Sequence, residues 1–299
     1  MTYEIKNIQE AYMGMYSESV LITEELHPEI QSIMNSDTRP SNKLNMVTKK
    51  ARELIAGGHD TGMESDKPKK GSSRAVFFPK EQKEIHVDGI KTKTPTAVKI
   101  AFSGALDKHH GEKTLLGEDQ NKLESDHWVN SSYGILQHTP EKGEGHFRSS
   151  PDESGGVLAP VFHTHEDHHH LEMGRITPLT SGDTSEATKT KEFPKGLKHD
   201  EIQEAMMHEH NSAHGSHRGN SKYTEEHLEK VKTHPWVEHA IDMMHNTGMH
   251  PGDLNKRNMG IYTHPVTGKK HLAIIDYGYS REIANKYTKA RRNSAAKQY

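Results

Sequence analysis

The chain has 299 residues, no cysteine and a formal net charge of −3, so disulfides and thiolate metal sites are excluded. That balance argues neither for a nucleic-acid surface nor for an attraction to acidic membranes. Apolar residues make up 31% and charged residues 27%, which leaves part of the chain as polar loop rather than core. No apolar run approaches the ~18 residues of a membrane span, and the first residues lack a signal-peptide core. A soluble, cytoplasmic protein is expected.

Residues 1–58 read as an N-terminal helical extension. Ser41 is a candidate cap for a helix with Leu44, Val47, Ala51, Leu54 and Ile55 on one face, stopped by Gly57-Gly58. The stretch 59–101 reads as β structure. Ala75 to Phe78 is one strand, Ile85 to Val87 a second, with a turn at Asp88-Gly89, and Thr96 to Ala101 a third. The third strand carries Lys99 inside an otherwise apolar run. A lone buried ammonium costs several kcal/mol, so Lys99 requires an anionic partner.

The stretch 114–136 reads as a helix bearing two glutamates, Glu118 and Glu124, either of which could meet Lys99. Glu124 is the preferred one. After a polar, Gly-rich stretch, Val157 to Phe162 and His170 to Ile176 form a hairpin. Its turn gathers His163, His165, His168, His169 and His170, part of a total of 25 histidines. With Glu166-Asp167 in its middle, the cluster reads as a solvated turn, with a metal site as the alternative because imidazole is a common ligand; the turn is preferred because the spacing matches no defined zinc signature. A second cluster at 208–217 fails the H-E-x-x-H pattern at Ser212.

Residues 177–232 read as a polar insertion able to bind a partner, with one short amphipathic piece at Ile202 to Met207. Pro235 to His245 is a helix begun by proline and ended at Asn246-Thr247-Gly248. Then comes MHPGDLNKRNMGIYTHPVTGKKHLAIIDYGYS, residues 249–280. Asp253 opens a loop that reaches Asn258. A strand, a polar turn and a second strand then deliver Asp276-Tyr277-Gly278. An acid, an amide oxygen and a second acid on one hairpin suit Mg²⁺ and phosphate, which need a few hard oxygen ligands.

These motifs resemble the protein-kinase-like superfamily: a D-L-x-x-x-N catalytic loop and a D-[FY]-G metal turn. G-D-L-N-x-x-N is also similar to the G-D-L-H-x-x-N of aminoglycoside and choline kinases. Pro251 stands where a histidine is usual, and His250 sits one step early. The resemblance implies an α+β, two-lobed fold with a β-rich N-lobe over 59–176 and a reduced, mainly helical C-lobe over 233–299. It implies Asp253 as catalytic base, Asn258 and Asp276 as Mg²⁺ ligands, and Lys99, paired to Glu124, on the phosphates of ATP. Gly71, Ser72, Ser73 and Val76 align with the phosphate-covering loop, and Glu172, Met173 and Gly174 with the adenine-binding hinge. The implied activity is ATP- and Mg-dependent transfer of the γ-phosphate to a hydroxyl on a protein or a small molecule. The alternative is a kinase-shaped binding or structural protein, for instance of a phage particle. The basic tail after Gly278 reads as a surface helix, with nucleic acid as its alternative partner.

Overall fold

The computed structural model describes residues 26–65, 67–70, 73–102, 116–129, 132–143, 145–151, 155–179, 197–215, 221–254, 257–283 and 285. Gly71, Ser72 and most of the basic tail, 284 and 286–299, lie outside them. Among the described residues no helix is long and apolar enough to cross a membrane. The architecture is mixed α/β.

Two helices lead, α1 (Pro28–Met34) and α2 (Pro40–Ala56). Pro40 takes the first turn of α2, where its fixed φ and missing N–H cost nothing. Arg39 precedes it as a cap without a side-chain bond, so Ser41 is not the cap. Gly57 ends the helix as expected. Next come β1 (Lys69–Lys70), β2 (Arg74–Phe77), β3 (Lys83–Val87), β4 (Ile90–Thr94) and β5 (Thr96–Ala101). Helix α3 spans Leu116–Val129, shorter than the expected 114–136. Beyond it the chain turns at Ser132 and Tyr133, Gly134 bridges to Leu158, and Ile135 leads into a strand. The middle region holds β6 (Leu136–His138), β7 (His146–Ser149), β8 (Val161–Thr164), β9 (His170–Gly174) and β10 (Thr177–Pro178).

The main sheet is antiparallel, in the order β1-β2-β5-β9-β8. Every residue of its central strand β5 is buried. Successive side chains of a strand point to opposite faces. Val98 and Ile100 join Leu44, Val47, Ala51 and Leu54 of α2 in one core cluster. Ala97 belongs to the other core. Lys99 shares that second face, so the strand presents its charge away from the N-terminal helices. A second sheet, β4-β3-β7-β6, has one parallel pair, β3 with β7. Lys83 Nζ of β3 reaches the buried Glu172 of β9 at 2.6 Å and ties the two sheets together.

The remaining described elements are α4 (His199–Ala213), α5 (Glu225–Lys232), α6 (Pro235–Thr247), β11 (Met259–Thr263) and β12 (Lys270–Ile274). Sheet β10-β11-β12 is antiparallel. Helices α4 and α5 correct the expected polar insertion. Ile202, Ala205 and Met206 of α4 and Leu228 and Val231 of α5 are buried in the same core as Trp236, Val237 and Ala240 of α6. Their apolar residues fall at i, i+3 and i+4, which makes one buried stripe on an otherwise polar helix. Thr224 Oγ1 accepts from His227 N–H to start α5, and Gly248, in the left-handed region at φ 70°, ends α6.

This packing makes a measurable difference. Met206→Ala should cost about 2–5 kcal/mol in urea denaturation, as for a large side chain deleted from a core. A solvated insertion would register within about 0.5 kcal/mol.

Candidate functional site

Three segments converge on the Lys99 ammonium. β5 supplies it, α3 supplies Glu124, and the turn after β12 supplies Asp276. Lys99 Nζ donates to Glu124 Oε2 at 2.8 Å and to the Ile275 carbonyl at 2.8 Å. It lies 4.0 Å from Asp276 Oδ1. Glu124 is the partner, and Glu118 instead faces His169 at 3.7 Å. Burial pushes the Lys99 ammonium down to about 8, with Glu124 opposing that shift. Burial alone would raise Glu124, but Arg74 and then Lys99 overcome it and hold the carboxyl below its usual range.

Arg74 is the residue that sequence reasoning missed. It is buried on β2, donates from Nη1 to Glu124 Oε1 at 2.7 Å, and sets Nη2 against Asp276 Oδ1. That last contact lacks hydrogen-bond geometry, and neither atom has a hydrogen-bond partner among the described residues. The available signal was an arginine at the start of a strand paired with β5: Arg74 sits across from Ala101, two residues from Lys99.

The turn is held by close packing. A Cβ at Gly278 would lie 2.3 Å from the Gln120 carbonyl of α3, so only glycine lets the turn touch that helix. Gly278 N–H points at Glu124 Oε1, 3.3 Å away. Tyr277 is fully buried and donates its hydroxyl to the Ala159 carbonyl at 2.9 Å. Ala159 N–H in turn donates to Ile274 of β12.

A cleft of about 350 Å³ lies over these groups. Val76, Ala97, Met173, Gly174 and Ile176 form apolar wall, while Lys99, Asn258 and Asp276 bring charge and polarity. Pockets for small molecules commonly combine apolar lining with a few placed polar groups. Asn258 and Asp276 offer an amide oxygen and a carboxylate, the donor types of a hard cation. Asp276 Oδ1 already faces Arg74 Nη2 and, at 4.0 Å, Lys99 Nζ, so a cation there would share that oxygen with two positive groups.

Other expected residues fall elsewhere. Glu172 does not line the cleft, because its side chain is buried against Lys83. Gly174 N–H is already spent on the Pro160 carbonyl, so the chain passes the cleft with Ile176 and Thr177 as well. Ser73 turns its hydroxyl to Gln120 of α3 rather than to the cleft. The Asp253 backbone closes a 3-10 turn over Pro251–Asp253; its side chain lies outside the described residues. His250 Nδ1 accepts from Gly252 N–H at 2.9 Å, and His250 N–H donates to the Tyr279 carbonyl. The loop that carries Asp253 is therefore clipped to the strand end that carries Asp276.

Removing Glu124 leaves two buried cations facing each other. Glu124→Gln should destabilise the fold by about 3–5 kcal/mol at pH 7, the cost of breaking a buried pair. Folding depresses the Glu124 pKa, so its stabilisation is complete above the unfolded value of about 4.3 and disappears as pH falls through the folded value. Denaturation curves at pH 7 and pH 3 should show the wild type losing more stability than Glu124→Gln.

No family model matches the chain, and no curated protein matches it. Among solved structures it is similar to two forms of the Mycobacterium tuberculosis PknI kinase domain, one a point mutant. Each shows 11% identity and a TM-score of 0.31. The matches cover 74% and 73% of this chain and 59% and 60% of those domains. The chain thus spans about three fifths of the kinase domains it matches.

Proposed function

We propose that this chain is an ATP- and Mg-dependent phosphotransferase with a two-lobed, protein-kinase-like arrangement, transferring the γ-phosphate to a hydroxyl on a protein or a small molecule. One observation carries the reading. A buried lysine on a sheet strand is paired to a helix glutamate at 2.8 Å and lies 4.0 Å from the aspartate of a D-Y-G turn, beside a cleft. Phosphoryl transfer needs positioned charge more than covalent chemistry, and that is what these residues offer.

In this reading the apolar walls around Val76, Ala97 and Met173 take the adenine ring. Lys99, oriented by Glu124, binds phosphate oxygens. Asn258 and Asp276 hold Mg²⁺, which neutralises phosphate charge when bound. Asp253 orients the acceptor hydroxyl and takes its proton, while the clip between His250 and Tyr279 sets the height of its loop.

Labelled ATP with Mg²⁺ and a cell lysate is the direct test. The wild type should transfer label to an acceptor or to itself, and Asp276→Ala should lower transfer by about 10²–10³-fold or more. Equal transfer by the two proteins removes the assignment.

The contact of Arg74 with Asp276 favours a second reading, a kinase-shaped protein that binds nucleotide without turnover, because a guanidinium already stands against the carboxylate that a metal ion would need. Thermal shift separates a nucleotide binder from a scaffold, and the label assay separates binding from turnover. A nucleotide binder gains about 2.7 kcal/mol at a hundredfold excess over Kd, whether or not phosphate moves, whereas a pure scaffold gains nothing.

A further inference from the structure

Away from the cleft, the β8–β9 hairpin turns sharply at residues 165–169. His168 adopts the left-handed region at φ 56°, and its N–H returns to the His165 carbonyl at 2.8 Å. This reversal stacks the His169 ring on the His165 ring, 5.3 Å apart and within 6° of parallel. Asp167 stands between them in the sequence. Potential donor atoms of His165, Asp167 and His169 all lie within 4.8 Å of one another.

The imidazoles are oriented for ligation. His165 Nδ1 accepts from Asp167 N–H at 3.2 Å, which leaves Nε2 for another partner. His169 turns Nε2 toward Glu118 at 3.7 Å, and its Nδ1 is buried with no hydrogen-bond partner among the described residues. A carboxylate behind a ligating histidine is the usual outer support of a metal site. His170 is fully buried with both ring nitrogens unpartnered among the described residues, and its ring lies 4.9 Å from that of His165. A group of buried, unpaired imidazole nitrogens is costly unless something occupies their lone pairs.

The charge around the turn fits a cation. Asp37, in the link between α1 and α2, together with Glu166 and Asp167, forms a second donor group that shares Asp167 with the first. Lys43 of α2 opposes it; its field reaches His165 and His169, and its ammonium is bound to the Met34 carbonyl at 2.6 Å. Three carboxylates outnumber that one lysine.

We infer that the 165–169 turn is a divalent metal site of the zinc class, with His165, Asp167 and His169 as protein ligands and Asp37 as the acid that links the ion to the N-terminal helices. Two imidazoles and a carboxylate suit Zn²⁺ and related ions better than Mg²⁺ or Ca²⁺, which prefer all-oxygen sets. The role is structural: an ion there joins the helix pair α1–α2 to the main sheet at a point far along the chain.

The test is calorimetric titration of Zn²⁺ into the full, chelator-treated chain, with a thermal melt alongside. About one ion should bind per chain and raise Tm, as any ligand of the native state does. The double variant His165→Ala/His169→Ala should lose that ion. Asp167→Asn, at an exposed turn position, should weaken binding by at least the about 10–100-fold that loss of an outer supporting partner costs. Lys43→Met should tighten it. A control variant, His210→Ala/His214→Ala, alters the other histidine cluster and should bind as the wild type does. Absence of Zn²⁺ binding, or binding unchanged in both the double variant and Asp167→Asn, overturns the assignment. Loss of binding in the His210/His214 control with the turn intact moves the site elsewhere and overturns it equally.

Discussion

The structure turns on four charges held in one dry place. Lys99 and Arg74 face Glu124 and Asp276, two cations against two acids, with Lys99, Arg74 and Glu124 nearly free of solvent. Desolvating an ion costs several kcal/mol, and mutual attraction repays it only where geometry and additional hydrogen bonds are good. Here Lys99 has two acceptors at 2.8 Å, and Glu124 accepts from Lys99 and Arg74 and faces the Gly278 N–H. An apolar replacement of the same volume would hold the sheet, helix and turn together at least as well. Burial packing alone does not account for charges kept at such expense.

The same four charges explain why the surrounding elements sit where they do. β2 and β5 are paired in register so that Arg74 and Lys99 both reach the helix face of the sheet. α3 is pressed onto that face by glycine at two points. A Cβ at Gly117 would lie 2.5 Å from the Ser73 carbonyl, and one at Gly278 would meet the backbone of Gln120. The helix is therefore clamped between the sheet and the Asp276 turn, and Glu124 has little freedom to leave. On the opposite face α1 and α2 bury the alternate side chains of β5. A strand with a core on both sides is what allows a single lysine to be so fully removed from water.

Much of this was legible from residue types. Lys99 in an apolar strand demanded an acid, and the helix carrying Glu124 was the available source; the turn at Asp276 could be read from an apolar strand running into Asp-Tyr-Gly. The hairpin of β11 and β12 and the start and stop of α6 followed from proline, glycine and alternation. Other parts were hidden for physical reasons. Ile202, Ala205 and Met206 form a regular stripe, but histidines and glutamates around them lowered the mean hydropathy enough to suggest a solvated segment. Composition averages over a helix, whereas burial depends on one face. Glu172 looked like a hinge residue because strand position alone does not say which face a side chain takes. Its partner, Lys83, lies 89 residues away in sequence. Arg74 carried no motif, since its importance comes from pairing register.

Arg74 also sets a condition on anything that enters the cleft. A guanidinium is always charged and presents a planar fork of donors, and here the fork spans Glu124 and Asp276. A bare cation arriving at Asp276 meets a positive group already in place. An anionic ligand with its own cation meets a different balance, because phosphate oxygens can take the guanidinium as the cation takes the carboxylate. Electrostatics at this spot therefore favours a charge-compensated pair over either partner alone. That coupling follows from two side chains, one on β2 and one on the Asp276 turn.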